Sequence, residues 1–163
     1  MIPTVTRQLL SIRRRLLETV LPELPADADF AREQAMLISA ALEHLAANHE
    51  HEYRYAVVEN DDYRRALREL DRTGVGSAEV TRLLAEPRPR PDDGALPLAA
   101  VTEQTTRMKR ALVALAQDPR GAAGRHLAAL AERQVEREGS WFRAVGFTAE
   151  SPPIAQTLTG AGS

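Results

Sequence analysis

Three proline-bearing clusters divide this chain: Leu21-Pro22-Glu23-Leu24-Pro25, the run from Pro87 to Gly94, and Asp118-Pro119-Arg120-Gly121. Between them apolar residues recur every three or four positions, and no stretch of useful length alternates apolar with polar. Proline ends helices and a period of two marks strands, so punctuation and period together dictate helix almost throughout.

The boundaries follow from caps and breakers. Thr4 or Thr6 can cap a first helix running to about Leu21, and Asp27 or Asp29 opens a second from about Phe30 to Val58. Asn60-Asp61-Asp62 reads as a break and a fresh cap for a shorter helix over Tyr63 to Arg72, unless one helix continues through it. Gly74-Val75-Gly76 turns the chain, and Ser77 caps a short helix ending near Glu86. The proline-rich run after it reads as an extended, exposed connection. A third long helix is expected from Pro97 to about Gln117 and a fourth from Ala122 to Val145. The expected fold is all-α: an up-down-up-down four-helix bundle with one or two short helices in the connection between the second and third bundle helices. Residues 1–147 form one helical domain on this reading. Residues 148–163, with two prolines and a Gly-Ala-Gly-Ser end, read as a disordered tail.

Composition excludes several classes. The chain has 163 residues and no cysteine, so disulfides and thiolate chemistry are absent. A net charge of −2 argues against a nucleic-acid partner. No run approaches the roughly 20 apolar residues of a membrane span, and the N-terminus shows no apolar signal core. The single lysine, Lys109, among 21 basic residues fits the coding bias of a GC-rich genome. The expectation is a soluble, cytoplasmic, bacterial protein with neither a nucleic-acid nor a membrane partner.

Each helix carries an apolar stripe. Val5, Leu9, Ile12, Leu16 and Val20 form the first, and Ile38, Leu42, Leu45 and Ala56 the second. The third consists of Val101, Met108, Leu112 and Leu115, and the fourth of Leu127, Leu130, Trp141 and Val145. The first helix has a further row, Leu10, Leu17 and Leu21, on its other side. That row needs a cover, either the short helix around Val80, Leu83 and Leu84 or a second copy of the chain, which makes the first helix a candidate homodimer interface.

One segment interrupts its stripe with ionisable groups. Glu43 to Tyr53 holds His44, His49 and His51, and at 100° per residue His49 and Glu52 fall in the arc of Ile38, Leu42, Leu45 and Ala56. His44 and His51 fall on the outer flank. On the fourth helix Gln134 and Glu138 lie in the stripe between Leu127 and Trp141, at a depth matching His49. With Gln8 and Gln104 these residues would form a polar layer across the bundle. A hydrogen-bonded layer of this kind fixes helix register. The same His49, Glu52 and Glu138 could instead hold a single zinc, iron or manganese ion, or act as an acid–base group on a small-molecule substrate. The Glu-x-x-His pairs of di-iron bundles are absent, since His49-x-x-Glu52 has the reversed order and occurs once. Gly74-Val75-Gly76 lacks the Lys-Ser or Lys-Thr of a phosphate loop. The reading that follows is a binding or assembly protein with a buried polar core layer and no cofactor, with a bundle-type metalloenzyme or acid–base enzyme as the alternative.

Overall fold

The computed structural model describes residues 2–75, 77–92, 94–115, 122–146, 148 and 150–160. Among them all regular structure is helical, with no strand. The helices are α1 (Val5–Arg15), α2 (Leu21–Glu23), α3 (Asp29–Asn48), α4 (Glu52–Leu70), α5 (Ala78–Ala85), α6 (Leu98–Leu115), α7 (Ala122–Trp141) and α8 (Ile154–Gly160). They belong to two compact units: residues 1–51 with 138–154, and residues 52–137 with 155–163.

In the first unit Thr4 caps α1, its hydroxyl accepting from the Arg7 amide at 3.3 Å. A widened turn, Leu16–Val20, joins α1 to α2, and the Leu21 amide donates to the Leu16 carbonyl. Pro22 explains the widening: its ring has no N–H and would crowd the carbonyl four residues back in a regular helix. At this end the Leu21 and Leu24 carbonyls each accept from Arg32 at 3.3 Å. α1 packs on α3, whose inner surface is built from small residues, with Ala35 and Ser39 buried. Arg13 bonds Glu43 at 2.8 Å along this contact. The contact is thin, for no residue of α1 is fully buried. Val5, Ile12 and Val20 of the expected core stripe are exposed, and Leu9 and Leu16 are half-buried.

The end of α3 packs differently. Asn48 is buried there and donates to the Trp141 carbonyl at 2.9 Å. The His44 ring lies parallel to Phe142, with centroids 5.5 Å apart, and meets Trp141 edge-on. His44 is therefore half-buried against aromatic rings rather than on an outer flank.

The second unit holds the dense core. Leu67, Leu70, Val80, Leu83, Met108, Leu112 and Leu130 are buried together, with Tyr63 among them. Ser77 caps α5 as expected, accepting from the Val80 amide at 3.3 Å. Val80 and Leu83 are thus spent in this cluster. Gly74 has φ of +79°, the left-handed conformation that lets the chain leave α4 sharply.

Four sequence expectations change. α4 runs unbroken through Asn60-Asp61-Asp62, and the interruption falls at a 3₁₀ turn, His49–His51. The connection after α5 is not wholly exposed, since Pro89 is buried. The fourth helix ends at Trp141, with a 3₁₀ turn over Arg143–Val145. The tail expected to be disordered carries α8, with Ile154 and Leu158 buried. The Asp118-Pro119-Arg120-Gly121 turn lies outside the described residues.

Candidate functional site

None of His49, Glu52 and Glu138 is buried as the helical wheel predicts. Glu52 and Glu138 are exposed, and His49 is half-buried at the 3₁₀ turn. A 3₁₀ turn advances about 120° per residue, so three such residues shift the helical phase by about 60° and the wheel fails across them. His49 Nε2 is hydrogen-bonded to Thr6 Oγ1 at 2.8 Å, while that hydroxyl also reaches Glu50 Oε1 at 3.2 Å. The single Thr6 hydroxyl proton serves one of these two partners, so the tautomer of His49 decides whether Nε2 donates to Thr6 or accepts from it. Among the described residues no group of three histidine, aspartate or glutamate side chains converges as metal ligands would. On α7 the inward position belongs to Arg137, one residue before Glu138.

Gln8 is exposed and donates to the Pro3 carbonyl. Gln104 and Gln134 do enter polar networks, but those of the second unit. α4 presents Ala56, Asn60, Tyr63, Arg64, Leu67 and Leu70 as one buried face at helical spacing, and two strongly polar side chains sit in it. The Asn60 amide donates to Gln104 Oε1 and to Thr105 Oγ1, both at 3.0 Å. Its carbonyl oxygen accepts from Arg64 Nε at 2.9 Å. Arg64, only 1% exposed, donates to the carbonyls of Leu84 at 3.3 Å and Pro87 at 3.2 Å. Gln104 donates to the same Pro87 carbonyl at 3.1 Å and to Glu86 at 2.9 Å. Arg107 grips Glu86 through both guanidinium ends.

Each charge state has a cause in these contacts. The Arg107 hydrogen bonds hold the Glu86 carboxyl below its ordinary range, against a smaller opposing effect of burial. Burial lowers the Arg64 pKa, since its direct partners are neutral oxygens. The result is a clamp: Asn60, Arg64 and Gln104 fasten the end of α5 and the start of the proline-rich connection onto α4 and α6.

A second polar group joins α4 to α7. Asp62, buried, accepts from Arg133 at 2.8 Å and from Arg137 at 2.6 Å. Burial works against the Arg137 charge, and Asp62 overcomes it, so the pKa rises. Beside it Gln134 donates to the Tyr63 hydroxyl at 2.5 Å, and Lys109 bonds Glu59 at 2.8 Å with its ammonium 5.2 Å from the centre of the Tyr63 ring. Burial raises the Tyr63 pKa above its ordinary value. Sequence reasoning missed Asn60, Asp62, Arg64 and Arg137. For Asn60 and Arg64 the spacing with Ala56, Leu67 and Leu70 was the available signal, and their polarity concealed it.

The opposite kind of surface lies on α3. Phe30, Leu37, Ile38 and Leu45 are 75%, 56%, 52% and 49% exposed. With Gln34 and Ala41 they occupy one arc of the helix, directed away from the Ala35 and Ser39 side that meets α1. That arc carries no charge over four turns. No protein-family model, no curated protein and no solved structure matches this chain.

Proposed function

We propose that this chain is a binding and assembly protein which pairs with a second copy of itself through the outer face of α3. The observation that carries this reading is the uncharged apolar arc of Phe30, Leu37, Ile38 and Leu45, left in contact with water from Phe30 to Leu45. Gln34, Ile38, Ala41 and Leu45 follow the four-three-four spacing of a coiled-coil seam. An apolar arc free of charge is its own complement, since two copies related by a two-fold axis bring no like charges together. Ala41 at its centre allows the two helices to approach closely.

The magnitude indicates a weak pair. Completing the burial of half-exposed side chains of this size is worth about 1 kcal/mol each. Eight such side chains, four from each copy, give about 8 kcal/mol, against an association cost of about 4–15 kcal/mol. A dimer with a dissociation constant in the millimolar range or weaker is the expected result.

The first helix is the other candidate surface: in its Leu10, Leu17 and Leu21 row Leu10 is exposed and the other two are half-buried, and in its other row Val5 and Ile12 are exposed with Leu9 and Leu16 half-buried. Sedimentation equilibrium over a wide concentration range separates the two. Dimer formation that Ile38→Glu abolishes and Ile12→Glu leaves intact supports the α3 interface. The opposite pattern moves the interface to α1, and a strict monomer at the highest concentration removes the reading.

A further inference from the structure

A cleft of about 450 Å³ opens in the second unit between α4, the proline-rich connection and α8. Its size lies in the range of small-molecule sites. Three guanidinium groups, Arg54, Arg88 and Arg90, line it together with one carboxylate, Asp61. The charges are not balanced within the cleft. Asp61 is taken by Arg88, which grips it through Nε at 2.7 Å and through Nη2. Arg54 and Arg90 form no ion pair among the described residues.

The rest of the lining is apolar. Val58 is half-buried and Pro91 exposed there, while Val57, Pro89 and Leu158 keep little free surface. The position of that connection is fixed from below, because Arg64 and Gln104 hold the Pro87 carbonyl and Arg88 is tied to Asp61. The cleft is therefore built on the same clamp that organises the core.

These features select a ligand chemistry. Two guanidinium groups without carboxylates favour an anion, and a planar carboxylate matches the guanidinium fork. A bare inorganic anion would leave the accessible valine and proline surface unused. A neutral hydrocarbon would cover the two charges and desolvate them without compensation. We infer that the cleft between α4 and the 88–91 segment binds a small organic carboxylate, with Arg54 and Arg90 on its head group and Val58 and Pro91 against its apolar body.

The site is distinct from the α3 face, so the two readings stand or fall separately. Octanoate is a suitable probe, followed by calorimetry and by amide chemical shifts of the full chain. Saturable binding in the millimolar range or tighter is expected, with shifts concentrated at residues 54–61 and 88–91. Octanol, which lacks the charge, and inorganic phosphate, which lacks the apolar body, are each expected to bind at least tenfold more weakly, about 1.4 kcal/mol. Arg54→Gln with Arg90→Gln is expected to weaken octanoate by tenfold or more while leaving the circular dichroism unchanged, since both side chains are exposed. Absence of saturable octanoate binding overturns the inference. So does equal binding of octanol or phosphate, or octanoate binding that the double variant retains in full.

Discussion

Replacing Asn60 with alanine removes three hydrogen bonds at once from a side chain with no exposed surface. Two of the bonds are to neutral partners, Gln104 and Thr105, and a net contribution of about 1 kcal/mol each is usual. The third serves the Arg64 guanidinium, and a bond to a charged group contributes about 1.5–3 kcal/mol. Water cannot replace Asn60 for Arg64, which is itself buried. The expected loss is about 4 kcal/mol, a large share of the roughly 5–15 kcal/mol that stabilises a folded chain. At a urea dependence of about 2 kcal/mol per molar, the midpoint of denaturation should fall by about 2 M. Asn60→Asp should lose less: its carboxylate keeps the bond to Arg64 as an ion pair, although one oxygen then faces the Gln104 acceptor. In the Asn60→Ala, Arg64→Met double variant the losses should fall short of additivity by about 1–3 kcal/mol, because the two residues share a bond. A midpoint shift below about 0.5 M in Asn60→Ala, or full additivity in the double variant, would refute the clamp.

Asp62→Asn should cost about 3–5 kcal/mol, since it leaves the buried Arg137 without its carboxylate, whereas Arg133→Gln, at a half-buried partner, should cost about 1 kcal/mol or less; chemical denaturation compares them. Glu86 has a carboxyl pKa held below its ordinary value by Arg107, so its stabilisation is complete above the unfolded value of about 4.3 and is lost as pH falls below that toward the depressed folded value. Glu86→Gln should accordingly flatten the acid limb of a stability–pH profile, and an unchanged limb would remove Glu86 as its source. His49→Ala should cost about 1 kcal/mol through the Thr6 bond and leave the metal content of the purified protein unchanged. A stoichiometric zinc, iron or manganese ion lost in that variant would return His49 to the role of ligand.

The helices were legible where local chemistry decides them. Thr4 and Ser77 act as the caps their residue types suggest, and the proline clusters end helices near the expected places. Burial was harder to read, because a wheel assumes one unbroken helix and assigns polar residues to water. The His49–His51 turn breaks the first assumption, and Asn60, Asp62, Arg64 and Arg137 break the second. Asn60-Asp61-Asp62 resembles a break and a cap because those residue types favour both. Here tertiary contacts outweigh that preference: Asn60 has Gln104, Thr105 and Arg64 as partners, Asp62 has Arg133 and Arg137, and Asp61 has Arg88. α8 was missed for a related reason. Its composition is that of a free tail, and only the burial of Ile154 and Leu158 shows what holds it.

The same rule of helical spacing meets opposite fates on α3 and α4, and the difference bears on the proposed pairing. α4 buries an asparagine and an arginine on one face and an aspartate on another, yet it is covered within the chain, because these polar groups find partners on α6, α7 and the connection after α5. Those bonds fix which residue opposes which. The outer face of α3 is more hydrophobic and carries a single polar side chain, Gln34, so apolar contact would have to do most of the holding. Apolar contact is non-directional and tolerates sliding. A symmetric partner lessens that difficulty, since the two-fold axis sets each side chain of the seam opposite a fixed counterpart. Gln34, the one polar residue of the arc, then becomes the register device, hydrogen-bonding across the pair while hydrophobic neighbours exclude water. Gln34→Leu should therefore strengthen association while broadening it toward higher oligomers, a change that sedimentation velocity resolves. A tighter pair with no new species would show that the seam needs no polar guide. Unchanged association would place Gln34 outside the interface altogether.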